Sequence, residues 1–244
     1  MPAPAAKETI INQLKKDLLV LQGFKSAPTE AAIDTGLGTI LQAFPQARFP
    51  LGAVHEFIAM GMEDSSATVG FIAGLLMSIT AKGRATLWIS AEGNVYPPAL
   101  KRFGIQPEHI IFVHVQKKKD MLWVMEEALK CDALSAVVTE ITELNFTESR
   151  RLQLAVEKSR VTGFIIRKAP RNMQVTACIA RWRISPIHSL PVESLPGPGY
   201  AHWKVELLKI RNGRPGSWEL QWAGDHFEYE RLEDAIISKL KKTG

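Results

Sequence analysis

The sequence predicts an α/β fold: a mostly parallel sheet flanked by helices, with antiparallel strands at its C-terminal end. Three observations point to it. From Ala53 onward, short apolar runs alternate with amphipathic segments of helical length, the pattern of a sheet covered on both faces. The chain has 244 residues, 46% of them hydrophobic and 23% charged, enough for a sizeable core at ordinary globular composition. Beyond Val175 the helical segments give way to strand-like stretches separated by Pro, Gly and Asn.

The elements follow in order. Residues 9–22 place Ile10, Ile11, Leu14, Leu18 and Leu21 at helical spacing opposite Lys15 and Lys16, an amphipathic helix standing apart from the core pattern. Residues 1–48 are accordingly an N-terminal helical region, 49–229 the core and 230–244 a C-terminal helix and tail. Within the core, 53–59 reads as a strand and 68–81 as a helix closed by Gly83. A short buried strand at 86–90 precedes a helix opened by Pro97 and Pro98. The strand 109–114 leads to a helix at 121–130 capped by Asp120. Strand 134–139, helix 147–159 and strand 163–167 complete the alternation. The later segments 175–185, 202–210 and 217–222 read as antiparallel strands, the last two forming a hairpin around residues 211–216.

Bulk properties exclude some functions. The net charge of +5 admits a nucleic-acid or acidic-protein partner without requiring one. Between Asn145 and Arg183 nine Lys/Arg face only Glu148 and Glu157. Cys131 and Cys178 sit in apolar sequence at a spacing that suits neither a metal site nor a disulfide framework, and the six histidines are scattered, so no metal is expected. No apolar run approaches a membrane span, and the expectation is a soluble, cytoplasmic protein with no membrane contact.

In a sheet of this kind ligands gather where the first strand turns into its helix, because backbone N–H groups and the helix dipole converge there. That turn is residues 61–68. Against the phosphate-binding pattern G-x-x-x-x-G-K-[ST], Gly61 and Thr68 are in register, Ser66 replaces the second glycine and Ala67 the lysine. The lysine supplies the charge that reaches the terminal phosphates, and Glu63 and Asp64 add negative charge instead. Thr68 then reads as a first-turn helix residue rather than a Mg²⁺ ligand. No cofactor is expected.

These residues resemble a RecA-like core from about Ile33 to Trp222. Residues 33–41 resemble the lead-in to its first core strand, and the run from Phe49 to Glu56 is similar to the approach to its phosphate loop. Glu92 matches the family's catalytic glutamate, and residues 136–140 fall where its Walker B strand would be, the aspartate absent with Thr139 or Glu140 in its place. No glutamine follows Phe164-Ile165-Ile166-Arg167, where the family's phosphate sensor would be. Residues 125–131, 149–155 with Val161-Thr162-Gly163, Arg181-Trp182-Arg183, and 203–211 running into Gly213-Arg214-Pro215-Gly216-Ser217-Trp218 resemble the ImuA family, RecA-like/SulA-like accessory proteins of bacterial mutagenesis cassettes. The resemblance implies a non-catalytic role in SOS-linked, error-prone translesion DNA synthesis. It also implies an ImuB-like, polymerase-related partner, with RecA and self-association as further possibilities.

RecA proteins hold single-stranded DNA with two long loops. Here the corresponding segments shrink to about 141–146 and 168–174, which argues against threading a strand in that way. Candidate contacts with a partner or with DNA are Arg150, Arg151, Arg167, Lys168, Arg171, Arg181, Trp182, Arg183, Lys209 and Arg211, each of which also has a plain structural reading. Trp182 reads more readily as core, and Arg181 and Arg183 should share the opposite face of their strand. Glu92 without a gripped phosphate reads as structural. Two other functions stay open: a weak or atypical ATPase resting on Gly61, Thr68 and Glu92, and a SulA-like inhibitor of cell division. Lys82, weighed as a substitute lysine, lies too far along its helix.

Overall fold

The computed structural model describes residues 13, 33–80, 83–93, 95–189 and 199–229. The helices expected at 9–22 and toward the C-terminus lie outside them, Gln13 apart. The core forms a compact unit starting at Ile33, so residues 33–48 belong to it rather than to an N-terminal region. Leu37 and Ile40, on and beside the 3-10 turn Gly38–Ala43, are fully buried, and Phe44 nearly so. The Tyr229 hydroxyl donates to the carbonyl of Leu37 and accepts from the N–H of Ile40, which ties this stretch to the far end of the core.

The sheet strands in chain order are β1 (Val54–Ala59), β2 (Ala85–Ser90), β3 (Ile110–His114), β4 (Leu134–Ile141), β5 (Thr162–Lys168), β6 (Ala180–Pro186), β7 (His202–Ile210), β8 (Gly216–Trp222) and β9 (Phe227–Tyr229). The helices are α1 (Met62–Thr80), the single turn α2 (Pro97–Leu100), α3 (Lys118–Leu129) and α4 (Phe146–Ser159). The spatial order is β3-β2-β4-β5-β1-β6-β7-β8-β9. Six strands, β3 to β6 in that order, run parallel, and β7, β8 and β9 continue the sheet antiparallel.

Three expectations are corrected here. The strand after residue 175 is not antiparallel throughout: β6 pairs in parallel with β1, His55 opposite Ala180, and turns antiparallel only toward β7. Local alternation reveals a strand but not the direction of its neighbour. Asp120 does not cap α3; Lys117 occupies that position and Asp120 lies inside the first turn, where its charge still favours the helix dipole. Helix α1 begins at Met62, well before residue 68, with consequences described below.

The remaining boundaries follow local chemistry. Asn145 caps α4 through a reciprocal box: its Oδ1 accepts from the Glu148 N–H at 2.8 Å, and the Glu148 carboxylate accepts from the Asn145 N–H at 2.9 Å. The helix ends at Arg160 in the left-handed region, where the backbone of Gly52 also approaches. Gly163 packs under Leu129, Met125 and Val54, so a side chain there would crowd the α3 face.

The two faces of the sheet differ. On the α3/α4 face Val54, Ile89, Val137 and Ile165 pack with Met125, Leu129, Leu152 and Val156 in an aliphatic core. On the α1 face the core is aromatic. Phe57 and Trp182 stack with ring centroids 6.0 Å apart, and Phe71 meets Phe57, Trp182, Trp203 and Phe227. Trp182 is fully buried, as its place in the strand pattern suggested.

His55 lies in this aromatic layer. Its ring stacks on Phe49 at 4.5 Å; its Nε2 lies 2.8 Å from the Pro50 carbonyl, and its Nδ1 accepts the indole N–H of Trp182 at 3.3 Å. That pairing assigns a neutral ring with the proton on Nε2. Burial drives its pKa down from 6.5 to about 4, against the Pro50 bond, which pulls upward.

Candidate functional site

The site begins where β1 ends. In a phosphate-binding loop the residues between strand and helix turn their N–H groups toward the ligand. Here only Met60 and Gly61 separate β1 from α1, and the stretch 62–68 is already helical. The Ser65 N–H donates to the Gly61 carbonyl at 3.0 Å, and the Ser66 hydroxyl to the Met62 carbonyl at 3.0 Å. Asp64 reaches back to accept the Met60 N–H at 3.1 Å. The Ser65 N–H and the Ser66 hydroxyl are therefore committed to the helix. Glu63 and Asp64 lie in its first turn, where their charge satisfies the dipole that would otherwise attract an anion.

Ala67 and Thr68 are buried in the second turn, and Thr68 is fully enclosed with no hydrogen-bond partner for its Oγ1 among the described residues. Thr68 is thus neither a first-turn residue nor placed to hold a cation, because the earlier helix start carries it inward. Glu92 is exposed on the loop after β2 and lines the same cavity as Gly61, Glu63, Ser66 and Ala67.

Glu140 near the end of β4 is buried and spoken for. Its Oε1 accepts the Trp88 indole N–H at 2.8 Å and its Oε2 pairs with Lys168 Nζ at 2.5 Å. The pattern of a RecA-like core implies a nucleotide and its metal at this position. The residues present do not fit that group: the loop is helical, its lysine position is Ala67, and the Glu140 carboxylate is already paired. Lys168 is what sequence reasoning missed. Named for a partner or DNA, it projects into the cavity from the end of β5 instead, because β5 ends beside Ala59 of β1. Only the pairing of β5 with β1 could have shown this.

The opposite face of β1 carries a buried charge cluster. Glu56, fully buried, accepts from Arg167 Nη1 at 2.7 Å, Arg181 Nε at 2.8 Å and the Thr176 hydroxyl at 2.8 Å. Arg167 also pairs with Glu143 at 3.1 Å and donates to the Asn172 carbonyl at 2.8 Å. Glu143 accepts the Arg171 N–H at 2.7 Å; that bond, with Arg167 beside it, holds the Glu143 carboxyl below its usual pKa. Arg181 further donates to the Gln174 carbonyl at 2.6 Å. The segment that lengthens into a DNA-holding loop in RecA proteins is here fastened to the end of the sheet at Arg171, Asn172, Gln174 and Thr176.

Three candidate contacts are corrected by this geometry. Arg167 is fully buried, and Arg181 is 12% exposed with its guanidinium engaged by Glu56, so neither meets a partner through a free charge. Trp182 is enclosed in the aromatic core. Each side chain finds its complement inside the fold. Arg150 and Arg171 remain exposed; Arg151 is exposed but paired with Glu126 at 2.5 Å. Arg183 and Arg211 are half-buried, and Lys209 is exposed on β7. The exposed arginines of α4 and the segment after β5 lie apart from the cavity lining. Among the described residues no cluster of His, Cys, Asp or Glu could hold a metal, and no helix is long and apolar enough to cross a membrane. The Cys178 thiol is pushed up to about 12 by burial, with Glu56 nearby adding to the rise, and Cys131 is exposed.

Comparison with known proteins completes the picture. No protein-family profile matches the chain. The crystal structure of the RadB recombinase superposes with a TM-score of 0.54, covering 82% of this chain and 97% of that one at 15% identity. That likeness establishes a RecA-like fold. In sequence, the chain is 34% identical over 190 residues to Protein ImuA of Caulobacter vibrioides, a match that spans 73% of this chain and 78% of that one. It belongs to the ImuA family. A second strain's ImuA matches to the same degree. The ImuA assignment rests on sequence and the RecA-like fold on structure.

Proposed function

We propose that this ImuA-family chain is a non-catalytic accessory protein of SOS-linked, error-prone translesion synthesis, binding an ImuB-like polymerase-related partner. The observation that carries the reading is the start of α1 at Met62, with Ala67 buried where a phosphate-gripping lysine would stand. A fold that has withdrawn its phosphate grip retains a large surface and no means to drive a cycle with ATP. The basic exposed groups Arg150 and Arg171 suit contacts with the partner, with RecA or with DNA phosphates.

The test has two steps. ATP or ADP with Mg²⁺ is titrated calorimetrically into the purified protein, and the ImuB-like partner is then co-purified from buffer stripped of nucleotide. No binding heat at high micromolar nucleotide, with co-purification intact, supports the reading; strict dependence of the complex on ATP overturns it.

The second reading, a weak ATPase, draws on Lys168, whose ammonium enters the cavity from β5. Against it, that charge is matched by Glu140 at 2.5 Å, and reaching phosphate would strip Glu140 of its partner. Micromolar ATP binding that disappears in Lys168→Ala would decide for it.

A further inference from the structure

The segment between β5 and β6 is held down at nearly every other residue. The Arg171 N–H donates to Glu143, the Asn172 and Gln174 carbonyls accept from Arg167 and Arg181, and the Thr176 hydroxyl donates to Glu56. The Ala177 N–H then donates to Ser149 Oγ of α4 at 2.9 Å. Residues 171–177 therefore run alongside residues 143–149, where α4 begins at Phe146. What this anchored stretch leaves outside is apolar. Met173 and Val175 are exposed, as are Phe146 and Leu154 on α4, each by 46% to 66%. Phe146, Arg150 and Leu154, spaced at four, form one row along the helix. Glu148 and Arg151, off that row, meet Lys118 and Glu126 of α3. Fastening the segment needs no exposed methionine or valine, and apolar side chains gathered at one place within a rim of charge mark interaction sites.

The unanswered charge on this surface is positive. Arg150 and Arg171 are exposed, and neither side chain has a partner among the described residues. The acids beside them are answered, Glu143 by Arg167 and the Arg171 N–H, Glu148 by Lys118. Glu157 and Lys158, a turn beyond Leu154, offset each other. We propose that α4 and the segment after β5 form a docking surface for an acidic, apolar peptide segment of a partner protein. Its apolar side chains cover Phe146, Leu154, Met173 and Val175, and its Asp or Glu side chains meet Arg150 and Arg171. The bonds that already fix the segment leave little to be ordered on docking. Single-stranded DNA fits less well, because three of the four apolar groups are aliphatic and offer a base no ring to stack on. This inference deepens the partner-binding reading and rests on it for the existence of a partner.

A random twelve-residue peptide library displayed on phage is the probe, selected on the immobilised full chain. Recovered peptides are then synthesised and their affinities measured by fluorescence anisotropy, with a labelled thymidine oligonucleotide measured beside them. Two variants at exposed positions test the surface: Leu154→Gln/Val175→Thr removes apolar contact, and Arg150→Glu/Arg171→Glu reverses the charge. Each is checked for an unchanged urea midpoint; where the midpoint moves, Leu154→Thr/Met173→Gln and Arg150→Gln/Arg171→Gln take their place. The surface predicts peptides that combine Leu, Ile, Met or Phe with Asp or Glu, their affinity falling at least tenfold in both variants. Basic peptides, no recovered binder, or affinities indifferent to either variant overturn it. An oligonucleotide bound by the chain and lost in the arginine variant, with no acidic peptide recovered, assigns the surface to nucleic acid and overturns it as well. Co-purification of the ImuB-like partner is read in parallel. If no peptide meets the expectation while that complex still forms, the surface is wrong and the accessory role stands. If peptides meet it but no ImuB-like complex forms, the surface stands and the accessory role falls.

Discussion

The two faces of β1 treat charge in opposite ways. On the α3/α4 face a fully buried carboxylate, Glu56, is held by Arg167 and Arg181 and draws the segment after β5 down onto the sheet. On the α1 face the same strand leads past Ala59 into a cavity with apolar walls, where Lys168 closes on Glu140. The difference teaches that two arginines of this RecA-like core, Arg167 and Arg181, serve to neutralise a buried carboxylate rather than to present charge outside.

The largest expected effect comes from breaking the buried cluster. Glu56→Ala leaves Arg167 without its innermost partner and should lower stability by about 3–5 kcal/mol, read from urea denaturation. Loss of less than about 1 kcal/mol would mean that Glu143 alone can hold Arg167. The matching experiment on the other face uses pH. His55 is neutral when folded, its pKa depressed to about 4, while in the unfolded chain it titrates near 6.5. The unfolded state therefore binds more protons between these values. The His55 contribution is complete above about pH 6.5 and is lost as pH falls toward 4, by roughly 3 kcal/mol in all. Urea midpoints at pH 7, 5.5 and 4.5 should fall in that order, and His55→Gln should flatten the slope.

Two smaller effects sharpen the contrast between buried and surface polar groups. Asn145→Ala removes the α4 capping box and should cost about 1 kcal/mol, measured as a shift in the denaturation midpoint. Lys118→Ala, whose partner Glu148 lies 2.8 Å away at a partly exposed site, should change stability by about 0.5 kcal/mol or less. A cost for Lys118→Ala equal to that of Asn145→Ala would show that the Glu148 cap depends on the lysine.

The sequence announced what is local. Strands of apolar residues and the absent lysine at Ala67 are both readable within a few residues of themselves. So was the burial of Trp182, from alternation along its strand. What escaped was long-range. Arg167 looks like part of a basic surface until Glu56, far away in the chain, is found facing it in the folded sheet. Lys168, on the opposite face by simple alternation, passes for its equal until the pairing of β5 with β1 sets it beside Ala59 at the cavity. The direction of β6 was equally hidden, because residues 175–185 say nothing about which strand lies beside them. Helix α1 shows a further limit. The P-loop register singles out Ser66 and Ala67, yet the template itself suggests a loop where Glu63 and Asp64 favour a helix N-terminus.

The helical start at Met62 also bears on what a single substitution at this turn can do. Restoring lysine at position 67 would place its stem in a buried second turn, with the neighbouring amides still paired along the helix. Nucleotide binding would need that turn to unwind as well, a change no single substitution supplies. A phosphate grip at this turn would therefore take a change of backbone as well as of side chain.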